Sequence, residues 1–288
     1  MTKTLLSFGH GYSARALARC LLAKGWRIYG TTRSPEKAEV LAGEGVTPLL
    51  WEGGDILGAL REATHILMSA APGEGGDPVL ARFGAEIAEV APRLEWAGYL
   101  STTGVYGDHA GGWVDESAEL TPATKRGQMR VEAEAAWGAV PGLPLHIFRL
   151  AGIYGPGRGP FEKVRNGTAR RIVKPGQVFS RIHVEDIARV LEASIERPNP
   201  GAAYNVCDND PAPPQDVIGY AAELLGLPLP PEVAFEEAEM SPMARSFYAE
   251  SKKVDNRRMR EELGVQLRYP DYRAGLMALL DEAGGRSL

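Results

Sequence analysis

The chain has 288 residues, of which 44% are hydrophobic and 24% are charged, a composition that excludes wholesale disorder. Its length allows one large domain or two modest ones, and its formal net charge of −5 does not favour a nucleic-acid-binding surface. The 34 glycines make up about 12% of the chain, against a usual share of about 7%, and they predict many tight turns. The two cysteines are too few for a disulfide framework. The first ten residues do not resemble a signal peptide, and no apolar run reaches the 18 residues of a membrane span, so we expect a cytoplasmic protein.

Strands and helices alternate in the first 150 residues. Short apolar runs predict buried strands at 4–8, 26–31, 46–50, 64–69, 96–101 and 145–150. Apolar residues at helical spacing predict helices at 13–24, 35–42, 56–62, 79–91 and 128–137. This alternation is typical of βαβ units with right-handed crossovers. We therefore predict an α/β fold, a doubly wound parallel sheet of Rossmann-like type.

The pattern becomes irregular after residue 150. Glycines and prolines cluster at 155–160, and later elements are expected at 184–195 (helix), 204–206 (strand), 216–225 (helix) and throughout the last 40 residues (helical). We predict a dinucleotide-binding domain over 1–155, with returns from about 179–207. Residues 156–288 are expected to form a smaller C-terminal substrate lobe and the final helices.

A glycine motif connects the first strand to the first helix. Residues 9–14 read G-H-G-Y-S-A, which fits G-x-G-x-x-G/A in the strand–turn–helix context that this motif requires. Gly9 allows the tight turn, and Gly11 lets the backbone approach a pyrophosphate. The free N–H groups of the following helix, which starts near Tyr12 and Ser13, favour an anion. The motif predicts a dinucleotide site.

The residues after the second strand indicate which dinucleotide. NAD-preferring folds place a carboxylate there for the ribose 2′-OH, but this chain has Thr32 and Arg33 instead. A guanidinium beside hydroxyl groups suits a 2′-phosphate, so we favour NADP, with NAD as the alternative. Arg33 could instead merely begin a loop.

Three further positions follow predicted strands. Asp55 could accept from an adenine amino group or cap a helix. Ser69 and Ala70, at the end of the fourth strand, are further candidates for cofactor contacts.

Five stretches together carry a family resemblance. They are GHGYSA (9–14), STTGVYG (101–107), RLAGIYGPG (149–157), RIHVEDIA (181–188) and YNV (204–206). In this order the chain resembles the extended and atypical short-chain dehydrogenase/reductase superfamily, the epimerase/dehydratase-like proteins. The resemblance implies an NAD(P)-binding oxidoreductase or epimerase, and a possible homodimer through helices near 79–91 and 128–137.

The resemblance also implies a catalytic set that this chain lacks in part. Family members carry a Ser or Thr followed by Tyr-x-x-x-Lys, and Thr102 matches the first of these. Arg126 and Arg130 stand where the Tyr and the Lys are expected. Because arginine stays protonated, Arg126 cannot exchange a proton, but it could bind an anion. Arg130 could keep the ribose hydrogen bonds, and Tyr106 could be a relocated acid or a structural residue.

Two functions remain open on the sequence alone. The first is an NADP-dependent oxidoreductase or epimerase-like enzyme with non-standard acid/base residues and an anionic, possibly nucleotide-sugar-like, small-molecule substrate. The second is a catalytically silent NADP(H)-binding sensor or regulator. The five histidines show no metal-ligand spacing, so no metal site is predicted.

Overall fold

The structure is a computed structural model that describes residues 2–285, and the side chains of residues 2–282. Its strands are β1 (Thr4–Phe8), β2 (Arg27–Thr32), β3 (Thr47–Leu50), β4 (His65–Met68), β5 (Trp96–Thr102), β6 (Trp113–Val114), β7 (Leu145–Leu150), β8 (Gly152–Tyr154), β9 (Arg171–Val173), β10 (Arg181–His183), β11 (Ala203–Val206), β12 (Glu232–Ala234) and β13 (Lys253–Val254). Its α-helices are α1 (Tyr12–Ala23), α2 (Pro35–Gly43), α3 (Ile56–Glu62), α4 (Pro78–Val90), α5 (Lys125–Gly138), α6 (Phe161–Arg165), α7 (Val184–Glu196), α8 (Pro214–Leu224), α9 (Pro242–Phe247), α10 (Arg257–Glu262) and α11 (Tyr272–Gly285).

Seven parallel strands form the central sheet in the order β3-β2-β1-β4-β5-β7-β11. The predicted doubly wound, Rossmann-like α/β fold is confirmed. The chain leaves β1 in one direction along the sheet and returns to β4 on its other side. Open parallel sheets bind ligands at the carboxyl ends of the strands beside such a reversal.

Alternate side chains of β1 supply two cores, one on each face of the sheet. Leu5 packs in the cluster that contains Leu17 of α1 and Leu191 of α7. Leu6 packs in the opposite cluster with Ile87 of α4 and Trp137 of α5. All six side chains are buried, and each of the leucines and Ile87 contributes about 1.5–3 kcal/mol by burial of apolar surface.

The remaining strands form three small parallel pairs, β8 with β10, β9 with β12 and β6 with β13. They contain only two or three residues each, too few to show a recognisable strand period in the sequence. The expectation of helix throughout the last 40 residues is wrong in part: within 249–285 only α10 and α11 are helical, whereas 249–256 contain β13 and 263–271 are not helical. Gly264, with φ of +67°, follows the end of α10, and Pro270 lies just before α11. No helix in the described part of the chain is long and apolar enough to span a membrane.

Candidate functional site

The glycine loop after β1 is packed directly against the end of β4. Gly9 has φ of +75°, and its N–H donates to Thr31 Oγ1 at 2.7 Å. A Cβ at Gly9 would lie 2.8 Å from the backbone nitrogen of Ala70. Position 9 therefore requires glycine for two reasons, its left-handed backbone and the close approach of Ala70.

The N-terminus of α1 opens toward the carboxyl edge of the sheet. Gly11 is the N-cap residue without a side-chain cap, and the first turn of α1 holds no acidic residue. The first N–H groups of a helix have no acceptor within that helix, so those near Tyr12 and Ser13 suit an anion. A Cβ at Gly11 would meet only Gly9 O, at 3.7 Å, so the folded loop itself does not demand glycine here.

The turn after β2 presents an uncompensated cation. Arg33 is exposed, and within residues 2–285 its guanidinium forms no hydrogen bond and no ion pair. Beside it, Thr32 Oγ1 accepts from Ser34 N–H at 3.2 Å, and Ser34 caps α2. Asp55 caps α3 by accepting from Gly58 N–H at 2.9 Å, the second of its two expected roles.

A cavity of about 920 Å³ lies at the carboxyl ends of β4, β5 and β7. Five of the predicted site residues line it together, namely Ser13, Ser69, Thr102, Arg126 and Arg130. Residues between 241 and 254 also line it. The predicted cofactor residues that do not line this cavity are Gly9, Gly11, Tyr12, Thr32, Arg33, Asp55 and Ala70.

The residues at the expected catalytic positions have distinct environments. Thr102 Oγ1 accepts from Gly104 N–H at 3.2 Å. Arg126 is exposed in the first turn of α5, with its guanidinium 5.6 Å above the ring of Phe247. Arg130 donates to the Leu100 carbonyl at 2.8 Å, so part of its hydrogen-bonding capacity is already used at the end of β5.

Tyr106 lies outside the cavity lining. Its ring is fully buried, and its hydroxyl donates to Asn205 Oδ1 at 2.7 Å and accepts from Arg149 at 2.9 Å. Burial raises the pKa of Tyr106 to about 12. These contacts match the structural role that the sequence left open beside that of a relocated acid.

Cations on the cavity wall include two that the sequence did not single out. Arg158 and Lys252 both line the cavity. Lys252 Nζ donates to the Gly107 carbonyl at 2.6 Å and to Glu250 at 2.5 Å. Lys252 is 145 residues from Gly107, so no local sequence signal could have indicated this contact. Within residues 2–285 no three potential metal ligands come together.

Comparison with known proteins places this site in a known fold. A conserved protein of unknown function from Silicibacter pomeroyi DSS is 63% identical, with a TM-score of 0.93 over 98% of this chain and 99% of that one. A putative NAD-dependent epimerase/dehydratase from Methylobacillus flagellatus is 26% identical, with a TM-score of 0.71 over 98% and 99%. The human epimerase family protein SDR39U1, solved with NADPH, shares the fold at 17% identity, with a TM-score of 0.76 over 96% and 99%.

These likenesses show that the chain has the fold of the epimerase/dehydratase-like proteins. Protein YeeZ of Escherichia coli K12 is 30% identical over 283 residues, which cover 93% of this chain and 97% of YeeZ. The chain belongs to the YeeZ family. No family model matches it.

Proposed function

We propose that the protein binds NADP(H) at the loop after β1 and transfers hydride to or from an anionic small molecule in the cavity. The observation that carries this proposal is the continuity of the cavity. It extends from Ser13, at the N-terminus of α1, to the wall formed by residues 241–254. A volume of about 920 Å³ is at the upper end of the range for small-molecule sites, about 300–1,000 Å³, so it has room for more than a nicotinamide ring.

NADP is favoured over NAD because of the charge at the end of β2. Arg33 is exposed and has no carboxylate partner in the described chain. A 2′-phosphate would satisfy its guanidinium by charge-assisted hydrogen bonds. The loop would hold the pyrophosphate, with Gly11 allowing the backbone to approach it.

The cations of the cavity wall support an anionic substrate. Arg126, Arg130 and Arg181 line it, whereas Glu250 is already paired with Lys252. The bound nicotinamide would supply or accept the hydride. Arg126 would bind the substrate anion, and the Thr102 hydroxyl, directly or through water, would relay the proton.

A second candidate function rests on the same Arg126. Because its guanidinium keeps its proton, the position that holds a phenol in the superfamily cannot act as an acid here. Tyr106 is buried and hydrogen-bonded to Arg149 and Asn205. A cofactor-binding protein without turnover, serving as a sensor of NADP redox state, would retain the loop and lack the proton donor.

A turnover assay separates the two candidates. Purified protein is incubated with NADPH and a panel of carboxylated or phosphorylated carbonyl compounds and nucleotide sugars, and nicotinamide absorbance is followed. The first candidate predicts turnover of at least one anionic compound, with a KM at least tenfold higher in Arg126→Ala. The matched control is Arg165→Ala, an arginine outside the cavity lining, which should leave KM unchanged.

The other outcomes of this assay are equally decisive. Saturable NADPH binding without turnover across the panel, unchanged in Arg126→Tyr, favours the sensor. Failure of the unchanged protein to bind any nicotinamide dinucleotide overturns both candidates. The homodimer implied by the resemblance stays a prediction.

A further inference from the structure

The glycine-rich turn after β8 has a defined shape. Gly155 N–H donates to the Arg158 carbonyl at 3.1 Å, and Arg158 N–H donates back to the Gly155 carbonyl at 2.9 Å. Pro156 and Gly157 occupy the corner, and Gly157 has φ of +73°. Proline followed by a glycine with positive φ is typical of a type II turn. The turn therefore holds the backbone of Arg158 in a fixed conformation.

This turn is fitted against the first residue of α1. Tyr12 Oη donates to the Pro156 carbonyl at 2.9 Å. The Arg158 guanidinium carbon lies 4.3 Å from the centroid of the Tyr12 ring, a cation–π contact. A Cβ at Gly155 would lie 2.6 Å from Tyr12 Oη, so a larger residue there would disturb the contact. The two loops are 144 residues apart in sequence and meet at one aromatic ring.

The Arg158 guanidinium has hydrogen-bonding capacity to spare. Within the described residues it donates no hydrogen bond and has no carboxylate within 4.0 Å. Arginine carries five N–H donors in a planar fork that matches phosphate oxygens. Arg158 also lines the same cavity as Ser13, the second residue of α1.

We propose that Arg158 is a second anchor for the dinucleotide pyrophosphate, delivered to the N-terminus of α1 by the turn after β8. The inference rests on the proposed cofactor site. The N–H groups near Tyr12 and Ser13 would bind one side of the pyrophosphate, and Arg158, stacked on Tyr12, would neutralise it from the other. Cofactor binding would thereby join the phosphate loop to the part of the chain that follows β8.

This role differs from that of Arg33 in a measurable way. The pyrophosphate is common to NAD and NADP, whereas the 2′-phosphate belongs to NADP alone. Loss of Arg158 should therefore weaken binding of NADH and NADPH by the same factor. Adenosine 2′-monophosphate keeps the 2′-phosphate and lacks the pyrophosphate. Its affinity should therefore not depend on Arg158.

The test measures the affinities of these three ligands for the full chain and for Arg158→Ala. NADPH and NADH are titrated by fluorescence, and adenosine 2′-monophosphate by competition with NADPH. We expect Arg158→Ala to weaken both dinucleotides by about 10- to 100-fold, the range for hydrogen bonds to a charged group, and to leave the monophosphate unchanged. Arg158→Lys, which keeps the charge and loses the fork, should weaken them less.

The matched control is Arg165→Ala, seven residues away in α6. Arg165 also lies over an aromatic ring, with its guanidinium carbon 5.7 Å from the centroid of Phe161, and does not line the cavity. Its loss should change no affinity. Unchanged dinucleotide binding in Arg158→Ala, or an equal loss for the monophosphate, overturns the anchor role while leaving the proposed function intact. No dinucleotide binding by the unchanged protein overturns the proposed function and this inference together.

Discussion

The guanidinium of Arg149 donates to the carboxylate of Glu134 at 2.9 Å, and their side chains are only 7% and 5% exposed. Ser101 Oγ donates to the same carboxylate at 2.5 Å, and Arg149 also donates to Tyr106 Oη at 2.9 Å. The pair thus joins β5, β7 and α5 directly behind Ser101, which lines the cavity. This buried, hydrogen-bonded pair holds the cavity floor in place, because either charge would destabilise the protein if it stayed buried without its partner.

Removing one member of this pair should destabilise the protein strongly. Glu134→Leu leaves the Arg149 guanidinium buried without a counter-charge, at a cost of about 3–5 kcal/mol. The free energy of unfolding, measured by urea titration, should fall by that amount. Glu52→Leu is the control, because Glu52 pairs with Arg82 at an exposed position (83% and 37% exposed), where ion pairs contribute about 0–1 kcal/mol. Equal losses in the two variants would contradict the assignment.

Two glycines of the phosphate loop should respond differently to alanine. Gly9→Ala places a side chain at φ of +75° and 2.8 Å from Ala70 N, so it should lower the free energy of unfolding by at least about 1–3 kcal/mol. Gly11→Ala meets no atom closer than 3.7 Å, so the fold should tolerate it. Its Cβ would instead obstruct the approach of a pyrophosphate.

Paired measurements on each glycine variant check this contrast. Thermal unfolding reports stability, and NADPH titration reports binding. We expect Gly11→Ala to keep the melting temperature of the unchanged protein and to lose at least tenfold in NADPH affinity. A stable Gly11→Ala that binds NADPH normally would show that the pyrophosphate does not lie on this loop.

Arg33 should decide between the two cofactors. Arg33→Ala removes an exposed guanidinium that has no partner in the described chain, so stability should not change. If Arg33 binds the 2′-phosphate, NADPH affinity should fall by about 10- to 100-fold while NADH affinity stays the same. Equal losses for both cofactors would mean that Arg33 does not contact the 2′-phosphate.

Asp208 should make stability depend on pH. Its side chain is buried, with no hydrogen-bond partner for Oδ2 in the described chain. Burial raises its pKa from 3.8 to about 8, although the positive charge of Arg181 opposes the shift. Between those two values the unfolded chain loses the proton and the folded chain keeps it, so the free energy of unfolding should decrease as pH rises.

Urea titrations between about pH 4 and pH 8 test this sign. Asp208→Asn removes the titrating group and should flatten the decline across that window. Asp281→Asn is the control, because Asp281 is exposed, and it should leave the pH dependence of the free energy of unfolding unchanged. A slope that Asp208→Asn does not alter would show that Asp208 ionises normally in the folded state.

Residues at the site were predictable from sequence where the signal is local. The loop with Gly9 and Gly11 joins a strand directly to a helix, so six consecutive residues define it. Thr102 was predicted only through the family resemblance carried by 101–107, and it lines the cavity. The sequence left two roles open for Tyr106 and could not choose between them, because its partners Asn205 and Arg149 are 99 and 43 residues away.

Arg158 and Lys252 show why the rest required the fold. Each lies on the cavity because a segment far along the chain packs against the end of the central sheet. Arg158 belongs to a turn whose glycines and proline were visible in the sequence, but its contact with the ring of Tyr12 was not. The short strands that position such segments, including β8 and β13, have two or three residues and no readable period.

The loop after β1 is the proposed binding site of a nicotinamide dinucleotide. The most direct measurement is a fluorescence titration of NADPH with the purified full chain, with Gly11→Ala titrated in parallel. We expect saturable binding of one NADPH per chain and at least a tenfold loss of NADPH affinity in the variant. An unchanged protein that shows no saturable binding of NADPH or NADH would contradict this proposal.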